Sequence, residues 1–235
     1  YDIEPGDVVE LRGYVTDYFP DREPGKTAVY RIHIVSAVEH AERIRQQLEA
    51  LLTQLEDVSR LEQSIATATD ETLEKMDTLS EEDLAARLQD QATDQKLNAS
   101  QLSEMARKGM ETLKEAMRNP TFTDEVMSEW SKTLSEMQQL ADQKMQDAAK
   151  ALSKASQSPP SQSPPSQSPP SQSSPSKSTQ KQAMQEAQET EQEILESLED
   201  MQAMVNEDLD QLQALTLAQR LRGLGRTEMD LETTL

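Results

Sequence analysis

Cysteine is absent from this chain, which removes disulfides, thiolate metal sites and thiol nucleophiles from consideration. Its absence leaves the compartment open, because envelope proteins often lack cysteine too. Aromatic residues make up only 3% of the 235 positions, and five of the seven (Tyr1, Tyr14, Tyr18, Phe19, Tyr30) fall in the first thirty. Beyond that point only Phe122 and Trp130 remain, so any core must be built from aliphatic side chains, Met and Ala. Basic charge is also scarce: 23 Lys and Arg stand against 44 Asp and Glu, a formal charge of −21. So acidic a surface repels a polyanion, and we expect no nucleic-acid partner. No apolar run approaches the ~18 residues a spanning helix needs, so direct membrane insertion by this segment is not expected. Glycine-rich phosphate loops and serine-centred elbows are missing as well. The two histidines, His33 and His40, lack the spacing of a zinc site and read as a solvent-facing strand residue and a helix-start residue. We therefore expect no catalytic, cofactor-binding or metal-ligating residues and no enzymatic activity.

What is present begins with a period of two. Val9, Leu11, Gly13 and Val15 alternate with Glu10, Arg12, Tyr14 and Thr16, and Tyr30, Ile32 and Ile34 alternate with Arg31 and His33. Two strands are predicted, joined by turn chemistry from Pro20 to Gly25. Asp17 and Asp21 in that connection leave room for a weak Ca²⁺ contact. A lone hairpin is marginally stable in water because one face of each strand has nothing to bury against. We expect residues 1–36 to be the last strand pair of an Ig-like sandwich whose other strands precede Tyr1. The alternative is that the following helix covers the open face.

From Ala37 the period becomes helical. Ala41, Ile44, Leu48, Leu51, Leu55 and Val58 step by three and four, predicting a helix over 37–66 of about 45 Å. Thr69 and Asp70 read as punctuation, and Ser80 followed by Glu81, Glu82 and Asp83 reads as a helix start. That second helix is polar through Gln91 and Gln95, and fraying is expected around Asn98 to Ser100. Asn119-Pro120 ends it, and Thr121 or Thr123 caps the next. Residues 101–118 and 123–154 are expected to form an antiparallel hairpin anchored by Trp130. The whole of 37–155 reads as a helical bundle or coiled-coil region.

Residues 156–178 carry Ser-Gln-Ser-Pro-Pro three times and seven of the eleven prolines, the composition of a disordered, extended linker. An amphipathic helix is predicted over 179–222, with Ile194, Leu198, Met201, Val205, Leu209 and Leu212 on one stripe. Gly223 and Gly225 are expected to stop it, with Arg220, Arg222 and Arg226 complementing the helix end and 223–235 forming a flexible tail. The fold class is thus mainly α, preceded by a β-hairpin.

The side chains expected to carry helix-to-helix interactions are Trp130, Met127, Leu134, Met137, Ile194, Leu198, Met201 and Val205. All eleven methionines follow residue 75. They read as ordinary core packing or as an adaptable surface for partner helices. The acidic clusters Glu81-Glu82-Asp83, Glu191-Glu193 and Glu207-Asp208-Asp210 read as helix-start charge and solvated faces rather than metal or acid/base pairs.

The stretch from Glu4 to Asp17, then Val29 to Ser36, then long charged helices, resembles the region after the Ig-like part of large membrane-anchored bacterial envelope proteins of unknown function, common in planctomycetes. The resemblance implies an upstream sandwich, an extracytoplasmic position and a membrane-anchored parent, and it supplies no functional residues. Together these readings lead us to expect a non-enzymatic scaffold or protein-interaction region that binds a helical partner or itself. The alternative is a regulatory or inhibitory subunit whose C-terminal helix docks onto a partner. A third is an accessory to a metal-dependent hydrolase that uses the acidic clusters.

Overall fold

The structure, a computed structural model, describes residues 3–16, 18, 23–157 and 175–233. An N-terminal ribbon contains β1 (Val8–Leu11), β2 (Tyr14–Val15), β3 (Gly25–Lys26) and β4 (Tyr30–His33). β1 pairs antiparallel with β4 and β2 with β3, so the first expected strand is two short strands, interrupted at Arg12-Gly13. At the interruption Gly13 N–H donates to Thr27 Oγ1 at 2.9 Å instead of to a backbone carbonyl, while its own carbonyl accepts from Thr27 N–H at 3.0 Å. The residues expected to form the connecting turn and the weak Ca²⁺ contact (Asp17, Asp21) lie outside the described residues.

Register sorts the ribbon's side chains. Val9 faces Ile32 and Leu11 faces Tyr30, which puts four apolar residues on one face. The other face holds Val8, His33 and the ion pair of Arg31 with Glu10 at 2.9 Å. None of the described helices touches the ribbon, so the following helix does not cover its apolar face.

Five helices follow: α1 (Ala37–Lys75), α2 (Glu81–Ala116), α3 (Asp124–Asp142), α4 (Lys144–Ser156) and α5 (Pro175–Thr233). A capping box starts α1: Glu39 N–H donates to Ser36 Oγ, and Ser36 N–H donates to Glu39 Oε2 at 2.8 Å. The hydroxyls of Ser80 and Thr123 cap α2 and α3 by accepting from the Asp83 and Val126 N–H groups. α1 runs through Thr69-Asp70 to Lys75, because the hydroxyl and carboxylate there serve neighbouring helices instead of breaking their own.

The helices form an up-down-up-down bundle. α1 and α2 are antiparallel, α3 and α4 together form the third rod, and α5 returns antiparallel to α1. That direction is fixed by Thr69 meeting Glu191, Asp70 meeting Gln188, and Glu42 meeting Arg220 at 3.7 Å. Around the ring α1 neighbours α2 and α5, and the third rod touches α2 and α5 but not α1. None of the described helices is long and apolar enough to cross a membrane.

Four expectations from the sequence are corrected. α2 is continuous through Asn98 to Ser100: Asn98 is buried, and its amide donates to Glu62 Oε2 at 2.7 Å and to the Val58 carbonyl at 3.2 Å, pinning the stretch to α1. The helix expected over 123–154 is two helices, bent at Gln143 (φ −114°, ψ −81°). Backbone bonds Gln143 N–H to Gln139 O and Asp147 N–H to Gln143 O persist across the bend, which lays α4 along α5 while α3 meets α5 only lightly. The last helix does not stop at Gly223 and Gly225 but continues to Thr233, since an isolated glycine costs a helix only about 1 kcal/mol and the residues around these two are helix formers. Residues 223–233 are therefore helical rather than a flexible tail. At the other end of α5 the helix begins at Pro175, four residues inside the expected linker, with Pro in the first-turn position where its missing N–H is not needed. The remainder of that linker, 158–174, lies outside the described residues.

Gly109 leaves room for the side-chain ends of Leu134 and Leu51. A Cβ there would overlap Leu134 Cδ2 and come within 2.9 Å of Leu51 Cδ1. Gly109→Ala is expected to destabilise the bundle by about 1–3 kcal/mol despite its better helix propensity, read as a lower urea midpoint.

Candidate functional site

Two apolar clusters fill the bundle. The larger runs from Ala41 and Ile44 through Trp130 and Met137 to Leu212, and the smaller gathers Met76, Leu84, Leu88, Leu152 and Met184. Between them lies a buried polar layer contributed by α1, α2 and α5. Glu62 is its centre on α1, where both carboxylate oxygens accept from Gln95 Nε2 at 2.9 Å and Oε2 also accepts from Asn98. Burial pushes the Glu62 carboxyl up to about 6, with the two amide donors opposing it.

Glu191 enters the layer from α5 with no exposed surface. Its Oε1 accepts from the Thr69 hydroxyl at 3.0 Å, and its Oε2 has no partner. Burial raises this carboxyl to about 8; the Thr69 hydroxyl opposes the rise, and the charges of Glu62 and Asp70 add to it. One turn further along α1, Thr72 Oγ1 accepts from Gln91 Nε2 at 2.9 Å.

The layer's unmatched atoms are all acceptors. Gln91 Oε1, Gln95 Oε1, Asn98 Oδ1 and Glu191 Oε2 are buried without a donor. Unsatisfied buried acceptors are costly, at roughly 1–3 kcal/mol each. A proton on Glu191 is a donor that the layer itself can supply. At the rim, Gln188 Nε2 donates to Asp70 Oδ1 at 2.7 Å, and Lys144 pairs with Glu193 at 3.0 Å.

A third buried carboxylate, Asp208 of α5, lies beside Trp130. Burial lifts it to about 6; the Trp130 indole N–H opposes this, while Glu129 and Glu207 add to the rise. The indole N–H nevertheless makes no hydrogen bond of good geometry. Trp130, Asp208, Leu51 and Gly109 help line a small cavity of about 20 Å³.

All eight residues expected to carry helix interactions meet in the larger apolar cluster: Trp130, Met127, Leu134, Met137, Ile194, Leu198, Met201 and Val205 are buried there. The interface they form is between this chain's own helices. Most methionines are likewise core residues, with Met117 and Met204 exposed. Of the acidic clusters, Glu81-Glu82-Asp83 is the exposed first turn of α2. The other two are corrected: Glu191 and Asp208 are buried rather than on solvated faces.

Sequence reasoning missed the polar layer, although a signal for it exists. Glu62, Thr69 and Thr72 continue the three-four stepping of Leu55 and Val58, and Gln91, Gln95 and Asn98 do the same ahead of Leu102. Glu191 falls in phase with Ala187, Ile194 and Leu198. A polar residue in phase with an apolar stripe is buried with it.

Chemically, the layer can take up and release a proton. Its two carboxylates have no exposed surface, and among the described residues no group of three or more His, Asp or Glu is placed to hold a metal ion. Comparison of the chain with protein families, with curated proteins and with solved structures finds no match.

Proposed function

We propose that this chain is a non-enzymatic scaffold and interaction region: a helical bundle that carries an apolar β-ribbon at one end, seated against another β-sheet layer of a larger bacterial envelope protein. The observation that carries this reading is the placement of exposed apolar surface. Apart from Leu97 and Met204, the large apolar side chains that the described residues expose belong to the ribbon or, as Met117, Leu217 and Leu221, to the end of the bundle from which the ribbon leads. A two-stranded ribbon with Val9, Leu11, Tyr30 and Ile32 on one face, which no described helix covers, suits one half of a two-layer sheet. Leu11 is 59% exposed and Ile32 48% exposed. An extracytoplasmic, membrane-anchored parent is supported by the resemblance of residues 4–17 and 29–36 to such proteins. The non-enzymatic part is supported by the sealed position of Glu62 and Glu191, out of reach of a substrate.

A substitution and a cross-link test the reading. Ile32→Lys is expected to leave the unfolding of the helical bundle within about 0.5 kcal/mol of wild type, because the ribbon touches no helix. A photo-cross-linker at Ile32 in the full-length protein, activated in its native cell, is expected to capture a β-rich segment. Capture of a helical segment, or of nothing, would sink the proposal.

The regulatory alternative, in which the C-terminal helix serves a partner, is favoured by the last turns of α5. Leu217 and Leu221 are exposed on a helix that continues past its ion pair with α1, Arg220 to Glu42. On that reading a cross-linker at Leu221 captures a helical partner while one at Ile32 does not.

A further inference from the structure

The rods of the bundle are not held alike. The first three follow one another through short turns, whereas α5 is joined through residues 158–174, which contain only Ser, Gln and Pro. α5 packs on the other rods through its own buried face. That face carries two buried carboxylates, Glu191 and Asp208.

Glu191 is poorly served as an anion. The Thr69 hydroxyl is its one hydrogen-bond donor. The charged groups of α1 that act on it, Glu62 and Asp70, are both acidic. α2 presents the neutral amides Gln91, Gln95 and Asn98, and the buried face of α4 consists of Met, Ala and Leu. The nearby lysine, Lys144, is already paired with Glu193 at the surface. Glu62, by contrast, has amide donors on both oxygens and is the better anion of the two. Two like charges sealed in one layer repel strongly, so the layer accommodates one ionised carboxylate and one neutral acid.

We propose that the Glu62–Glu191 layer is a proton-operated latch on α5: with Glu191 protonated the helix is fully docked against α1 and α4, and loss of that proton to water loosens the docking. In the docked form Glu191 accepts from Thr69 through Oε1 and becomes a donor through Oε2, where the layer otherwise has unmatched acceptors only. In the ionised form that donor is gone and a second negative charge stands beside Glu62. Local opening of α5 then returns the carboxylate to water. The latch is independent of what the ribbon binds, and Ile32→Lys is expected to leave it unchanged.

Hydrogen exchange on the intact chain tests the proposal, with amides of residues 183–198 compared to those of α2 and α3 in the same molecule. Glu62 and Asp208, both lifted to about 6, complete most of their titration below pH 6.5, which leaves Glu191 as the buried carboxyl that still changes above it. Between pH 6.5 and 8, after correction for intrinsic exchange, protection in 183–198 is expected to fall by roughly tenfold to thirtyfold relative to α2 and α3, about tenfold per pH unit. Glu191→Gln, which resembles the neutral acid and cannot ionise, is expected to abolish that relative change. No relative change in wild type, or an unaltered one in Glu191→Gln, would overturn the latch. Should that variant fail to fold, carbon-13 titration of the Glu191 carboxyl in the wild-type chain decides. A midpoint above pH 7 supports the proposal, and a midpoint in the ordinary carboxylate range overturns it.

Discussion

Trp130→Ala is expected to cost about 3–5 kcal/mol of stability, the largest loss from any single truncation in this bundle. Trp130 is 2% exposed and is the one tryptophan in a chain with very few aromatic side chains. It packs against Phe122 with ring centroids 6.0 Å apart and lines a cavity with Leu48, Leu51 and Val205, so its removal enlarges a space shared with α1 and α5. The contacting rods meet there around Gly109, which leaves few atoms able to move in and fill the space. The variant would also leave Asp208 buried beside a void. Urea denaturation followed by far-ultraviolet dichroism measures the loss, and Trp130→Phe should recover more than half of it by restoring ring volume. A cost of Trp130→Ala below about 1 kcal/mol would show that this end of the bundle repacks freely, contrary to the structure.

The chain is also expected to become less stable as pH rises from 5 to 8.5. Three buried carboxyls are raised in the folded state: Glu62 to about 6, Asp208 to about 6 and Glu191 to about 8, against ordinary values of 4.5 for Glu and 3.8 for Asp. In that interval the folded chain binds more protons than the unfolded one, so each added pH unit favours unfolding. The stabilisation is complete below about pH 4 and is lost as pH passes through 6 for Glu62 and Asp208 and through 8 for Glu191. For Glu191 a displacement of this size corresponds to at most about 4–5 kcal/mol between the two limits. Thermal melting across pH 5 to 8.5 measures the trend. Surface self-repulsion in a chain of charge −21 acts in the same direction but is screened by salt, with a Debye length of about 3 Å at 1 M. A decline that survives 1 M NaCl and is flattened by Glu191→Gln with Glu62→Gln belongs to the interior. A melting temperature that rises with pH would contradict the buried layer.

Much of the architecture was legible in the chain. Ser80 and Thr123 mark real helix starts because a side-chain hydroxyl bonded three residues on is a local arrangement that neighbours in sequence specify, whereas the Ser36 cap of α1 emerged only with the structure. The ribbon's two faces follow from alternation, while the register that pairs Val9 with Ile32 came from the structure. Helix ends were less legible where the deciding contacts are distant. Asn98 looked like a break until its amide met Glu62 and Val58, and Gln143 carries no glycine or proline signal for the bend that lays α4 along α5. The polar layer was half legible: its residues keep the apolar phase, but phase alone does not say which partners make burial tolerable.

By itself the sequence determined that this chain is mainly helical after a short ribbon, where most helices begin, and which stripe of each turns inward, because hydrophobic period and capping are properties of neighbouring residues. Only the tertiary structure decided that the last helix completes the chain's own bundle and that Glu191 is a sealed acid rather than a surface charge. Its one donor, Thr69, lies 122 residues away in sequence, and the cost of burying a carboxylate is set by such distant partners rather than by its neighbours along the chain.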